Sequence, residues 1–160
     1  MSALARNTVS PPSFIFMGGD NCHHAAVFRP TEHLPLPEII SPSPLSPINT
    51  TQGLSFCPGE VFLSLHPSHS STDPLYKIAL DENGQSLAYV DVGSAKDTIA
   101  KMQRIHSCEE VLVIMAHDAS LRDVLRYWPN PANQWQLEGW KAKGTWRFLA
   151  DFVKGAETHL

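Results

Sequence analysis

The sequence predicts an α/β fold, and three observations carry that prediction. Two short apolar runs, Phe14–Met17 and Val111–Met115, each stop at polar groups, Asp20 and His117. A continuous apolar run of this length is the signature of a strand covered on both faces. Between them, Ser94–His106 carries an apolar stripe at helical spacing, Ile99, Met102 and Ile105, just before the second run. A strand, a helix and another strand in this order suggest layered α/β packing.

Taken in order, residues 1–12 are polar and end in Pro11-Pro12, so a disordered lead-in is expected. A domain over 13–154 follows. Its first strand is 13–17, and Gly18-Gly19 turns the chain where a side chain would hinder it. Residues 20–33 are a polar loop. From Pro30 to Pro74 lie nine of the 13 prolines, including Ser41-Pro-Ser-Pro-Leu-Ser-Pro47. Proline fixes φ and removes a donor, so 34–74 is expected to be a Pro/Ser-rich loop or insertion, with a short strand over 59–65. Residues 75–80 are ambiguous and Asp81–Gly84 is a turn. The helix over 94–106 has Ser94 as its cap and Asp97 in its first turn. The strand over 111–115 leads to a helix over 119–127 with Leu121, Val124 and Leu125 inward, stopped by Pro129. The segment 144–154 is aromatic and of either type.

Composition narrows the function. With 160 residues, 42% hydrophobic and 18% charged, the chain fits one small globular domain. A net charge of −4 and no basic cluster argue against a nucleic-acid partner. No apolar stretch approaches the roughly 18 residues that cross a bilayer, so no membrane partner is expected. Met1–Asn7 lacks the apolar core of a secretory signal, and Cys22, Cys57 and Cys108 are odd in number and widely spaced. Reduced thiols in a cytoplasmic protein are the expectation. GxSxG, Walker and GxGxxG motifs do not occur in the sequence, which weakens serine-nucleophile and nucleotide readings.

The candidate chemistry lies at the two strand ends. Ligands in open α/β sheets gather beyond the carboxyl ends of strands. An aspartate there can bridge cations or cap its own turn; Asp20 is open to both readings. His117 is either a metal ligand or a hydrogen-bonded strand-end histidine. Asp118 can cap the next helix or orient the site from behind the ligands. His23 and His24 are adjacent, so their side chains diverge and one of them could contact substrate or support a ligand. His66 and His69 share an i,i+3 spacing broken by Pro67. Trp128, Trp135, Trp140 and Trp146 are read as core.

These residues together resemble the C-terminal half of a metallo-β-lactamase-fold hydrolase of a fungal lactonase-like branch. The matching pieces are Phe16-Met-Gly-Gly-Asp20-Asn-Cys-His23-His24, Phe28-Arg29-Pro30, Val111-Leu-Val-Ile-Met-Ala-His117-Asp118, Trp135-Gln-Leu-Glu-Gly-Trp140-Lys and Trp146-Arg-Phe-Leu149. The resemblance implies an αβ/βα sandwich, incomplete here, with a long Pro/Ser-rich insertion. It implies a dinuclear metal site, usually zinc, that activates water against a lactone or other ester carbonyl. Asp20 matches the carboxylate that bridges the metals, and His117 the late histidine ligand. The family's leading His-x-His-x-Asp-His motif does not occur in this sequence. The expectation is therefore a truncated hydrolase that is weakly active or inactive as this chain. A complete dinuclear site would then need a homo-oligomer or a complementing chain. The rival expectation is a non-catalytic interaction protein that pairs an exposed sheet face with a partner.

Overall fold

A computed structural model describes residues 2–8, 10–46 and 56–152. In chain order the strands and helices are β1 (Ala3–Arg6), β2 (Phe14–Gly19), β3 (Ile39–Ile40), β4 (Cys57–Pro58), α1 (Glu60–Leu65), α2 (Val92–Ser107), β5 (Val111–Met115) and α3 (Trp140–Gly144). Short 3-10 turns cover Ala25–Val27, Ala119–Leu121 and Arg147–Leu149. The fold is mixed α/β, with small sheets and few helices.

The principal sheet has the order β1-β2-β5. β2 runs parallel to β5, with Phe14 opposite Val111 and Met17 opposite Ile114; the register shifts between Met17 and Gly19. Parallel neighbours need a crossover connection, and α2 ends just before β5 to supply its last part. Side chains along β5 alternate between two cores, as a strand period of two requires. Val111, Val113 and Met115 join Ile99 and Met102 of α2 in one. Leu112 joins Leu121, Val124, Trp135 and Trp140 in the other. The expectation of a strand covered on both faces holds for β5.

Six local expectations are corrected. The lead-in over 1–12 carries β1, which pairs antiparallel with β2 from Ala3 opposite Met17 to Arg6 opposite Phe14. The physical reason is the free edge of β2, whose main-chain groups accept a second neighbour regardless of side chains. Asn7 completes the reversal, because its backbone N–H donates to Ser13 O at 2.9 Å.

Within the described parts of 34–74, the chain packs into the core rather than standing off as a loop. β3 and β4 form a two-stranded antiparallel ribbon, with Ile40 opposite Cys57. Residues 59–65, expected as a strand, form α1; Phe62 and His66, one turn apart, are both buried. Prolines kept the ribbon short without preventing burial of Ile40, Pro44 and Phe62. Residues 47–55 lie outside the described residues.

The helix expected over 119–127 is a single 3-10 turn followed by further turns, although Leu121 and Val124 are buried as expected. Gly144 lies against Leu121, and a Cβ there would sit 2.6 Å from Leu121 Cδ2. Of the four tryptophans, Trp135, Trp140 and Trp146 are core, whereas Trp128 is 93% exposed. α2 begins two residues before Ser94; Asp91 is its cap, accepting from Ser94 N at 3.0 Å. Among the described residues, no helix is long and apolar enough to cross a membrane.

Candidate metal centre

The carboxyl ends of β2 and β5 are neighbours in a parallel pair, so whatever follows each strand meets the other. Gly19 adopts φ 55°, a left-handed conformation suited to glycine, and Ala116 N donates to Gly19 O at 3.1 Å. That main-chain bond ties the turn after β2 to the turn after β5. It sets Asp20 beside His117: Nε2 of His117 lies 2.8 Å from Oδ1 of Asp20.

His23 completes the group. One donor atom from each of Asp20, His23 and His117 lies within 4.8 Å of the other two. The His23 and His117 rings are 5.2 Å apart between centroids, tilted by 47°. All three side chains are exposed, so an ion could reach them directly. One carboxylate oxygen and two imidazole nitrogens suit zinc or a similar borderline divalent ion. Two donors on one tetrahedral zinc stand about 3.4 Å apart for bonds of about 2.1 Å. The observed donors, all within 4.8 Å of one another, bracket that value, and their types fit a single ion with an open position.

The remaining candidates lie elsewhere. His24 turns away from His23, as adjacent side chains must. Its Nδ1 accepts from Ala26 N at 3.1 Å, and its ring packs near Tyr76, Phe148 and Phe152. Asp118 accepts from Ser120 N at 3.2 Å and from the Ser120 hydroxyl, so it caps the 3-10 turn after His117. Its other oxygen is buried without a hydrogen-bond partner.

Behind the site lies a buried polar group. Arg29 is 2% exposed, donates to Thr145 O at 2.7 Å and sits 4.4 Å over the Phe28 ring. Burial lowers its pKa to about 10, opposed by the Asp118 charge. Cys22 is fully buried; burial pushes its thiol up to about 12, with Arg29 acting in the other direction. A thiol so held is not a ready metal ligand. His66 is also structural: its Nε2 faces Asp73 O at 3.0 Å and its Nδ1 accepts from Ser68 N at 3.1 Å.

Tyr89 borders the candidate site, although nothing in Ser86-Leu-Ala-Tyr-Val singles it out. Its ring centroid is 5.9 Å from that of His23. With Asp20, Asn21 and the first turn of α2 it walls an open cleft of about 260 Å³.

The strand ends of the α/β layering thus bring together an Asp/His/His group that could hold a metal ion. The chain is similar to a fragment of fungal metallo-β-lactamase-like proteins. It is 40% identical over 153 residues to a protein named gamma-lactamase FDB1 from Fusarium pseudograminearum, covering 96% of this chain and 35% of that protein. It is 36% identical over 153 residues to the metallo-hydrolase mfmC of Annulohypoxylon moriforme, covering 96% of this chain and 37% of that protein. It is 41% identical over 102 residues to gamma-lactamase MBL2 of Gibberella moniliformis, covering 64% of this chain and 39% of that protein. The chain thus spans little more than a third of the length of these relatives. No family model matches it, and no solved structure matches it significantly.

Proposed function

We propose that this chain carries part of the metal centre of a metallo-β-lactamase-type hydrolase. Its substrate would be a lactone, another ester or, by analogy with the relatives' names, a lactam. The convergence of Asp20, His23 and His117 within 4.8 Å carries this reading. We assign zinc as the metal on the donor types. A bound divalent ion supplies Lewis acidity toward a carbonyl and lowers the pKa of water.

The protein's own contribution is positional. The parallel pairing of β2 and β5 sets Asp20 and His117, each just past its strand, side by side. The turn Gly18–Asn21, closed by Asn21 N donating to Gly18 O at 3.2 Å, aims His23 at the same point. Exposure of all three side chains leaves the substrate side open. Three donors suffice for one catalytic zinc with an open position. A second ion would need more ligands than this group holds. These 160 residues alone would then hydrolyse weakly or not at all, and a second copy or a complementing chain would add the missing ligands.

The competing reading is an interaction module that uses its sheet edge. All four residues of β1 are exposed, Leu4 among them at 59%, and Met17 of β2, opposite Ala3, is 45% exposed. The test is metal content after dialysis, measured by elemental analysis, with turnover of a lactone and a lactam. The expected result is one zinc per chain, lost in His117→Ala. Zinc retained equally in wild-type, Asp20→Ala and His117→Ala chains would sink the assignment.

A further inference from the structure

Tyr89 enters the site region from a segment 66 residues after His23. Its neighbours point outward: Leu87 is 106% exposed and Val90 110%. Tyr89 is half-buried, and its hydroxyl donates to the main-chain oxygen of Asn21 at 3.3 Å. Asn21 lies in the turn between Asp20 and His23. The Tyr89 ring tilts 42° against His23, and His23 also meets His117 at 5.2 Å between centroids. His23 thus has a ring contact with each of Tyr89 and His117.

We propose that Tyr89 is a positioning residue for His23, pinning the Asp20–His23 turn through Asn21 and packing His23 toward His117 and Asp20. This rests on the metal-centre reading above. An exposed histidine samples several rotamers, and each one excluded in the free chain is entropy not lost on binding an ion. The hydroxyl fixes the turn and the ring restricts the imidazole, so the two parts separate by substitution.

Tyr89→Phe keeps the ring and loses the hydroxyl bond; Tyr89→Ala loses both. Two readouts are taken on the 160-residue chain, with thermal melts to confirm folding. The first needs no metal: the His23 ring proton signals by NMR, assigned with His23→Gln. Removing the Tyr89 ring should shift these signals in Tyr89→Ala, with a smaller change in Tyr89→Phe. The second is zinc affinity by chelator competition, with the visible spectrum of the cobalt(II)-loaded chain. Tyr89→Ala should bind zinc about tenfold more weakly, with a changed cobalt spectrum, and Tyr89→Phe about two- to threefold more weakly. Unchanged His23 signals in a folded Tyr89→Ala chain would overturn the proposal. So would wild-type zinc affinity with an identical cobalt spectrum. If the wild-type chain binds neither ion, or binds zinc independently of His117, the metal-centre reading fails and the positioning role falls with it. Shifted His23 signals would then still mark the ring contact as real, which separates the two failures.

Discussion

His117 and Asp20 are 97 residues apart along the chain, each just beyond the end of a strand, and their side chains meet at 2.8 Å because β2 and β5 are parallel neighbours. Strand direction does most of this. In an antiparallel pair, the residue after one strand would sit at the far end of the other. Both side chains are largely exposed, at 57% and 69%, so their mutual attraction adds little to folding.

Removing either group should therefore separate binding from stability. His117→Ala and Asp20→Asn should each change the unfolding free energy by no more than about 0.5 kcal/mol, while weakening zinc at least tenfold. Urea melts and chelator competition on the same samples check this. A loss of 2 kcal/mol or more in either variant would make the pair structural instead.

His106 should make the protein acid-sensitive. It is 2% exposed, and neither ring nitrogen has a hydrogen-bond partner. Burial lowers its pKa well below the ordinary 6.5, with the Arg29 and Lys141 charges acting in the same direction. The folded state thus takes up a proton less readily than the unfolded chain. Its stabilising contribution is complete above about pH 6.5 and is lost as pH falls below that. Melting temperature should drop from pH 7 to pH 5, and His106→Leu should flatten that slope. Parallel slopes for the two proteins would count against this origin.

Cys22 should act at the other end of the scale. Its thiol is raised to about 12 by burial, against an ordinary 9.0. The unfolded chain ionises first, so stability is full below about pH 9 and falls as pH rises toward 12. Cys22→Ala should weaken the fall between pH 8 and pH 10.5 while costing packing at pH 7. Thiol reagents should label Cys108, which is exposed, long before Cys22.

Phe62 tests whether the proline-rich region belongs to the core. It is fully buried with Ile40 and Cys57 in the cluster that also holds Val113. Phe62→Ala should cost about 3–5 kcal/mol, read by chemical denaturation. A cost below about 1 kcal/mol would mean that α1 merely rests on the surface.

Much of the candidate site was legible because its signals are local. Phe14–Met17 and Val111–Met115 are apolar runs that end at a carboxylate and an imidazole, and strand ends are where such sheets hold ligands. The divergence of His23 from His24 also follows from adjacency. What sequence periodicity missed is each case decided by a distant partner. Ala3–Arg6 has no strand pattern of its own and is a strand because β2 offers a free edge. Phe62 sits among prolines, and only the hydrophobic space beneath it makes α1 part of the core. Tyr89 has no motif around it, and its role depends on a contact with Asn21 across 68 residues.

By itself, the sequence determined which residue types stand at the strand ends and that β5 has apolar side chains for two faces. The tertiary structure decided which of the histidines share a site. Ligand geometry depends on donors meeting within a few ångströms, and here the parallel pairing of β2 with β5 brings His23, not His24 or His66, to Asp20 and His117.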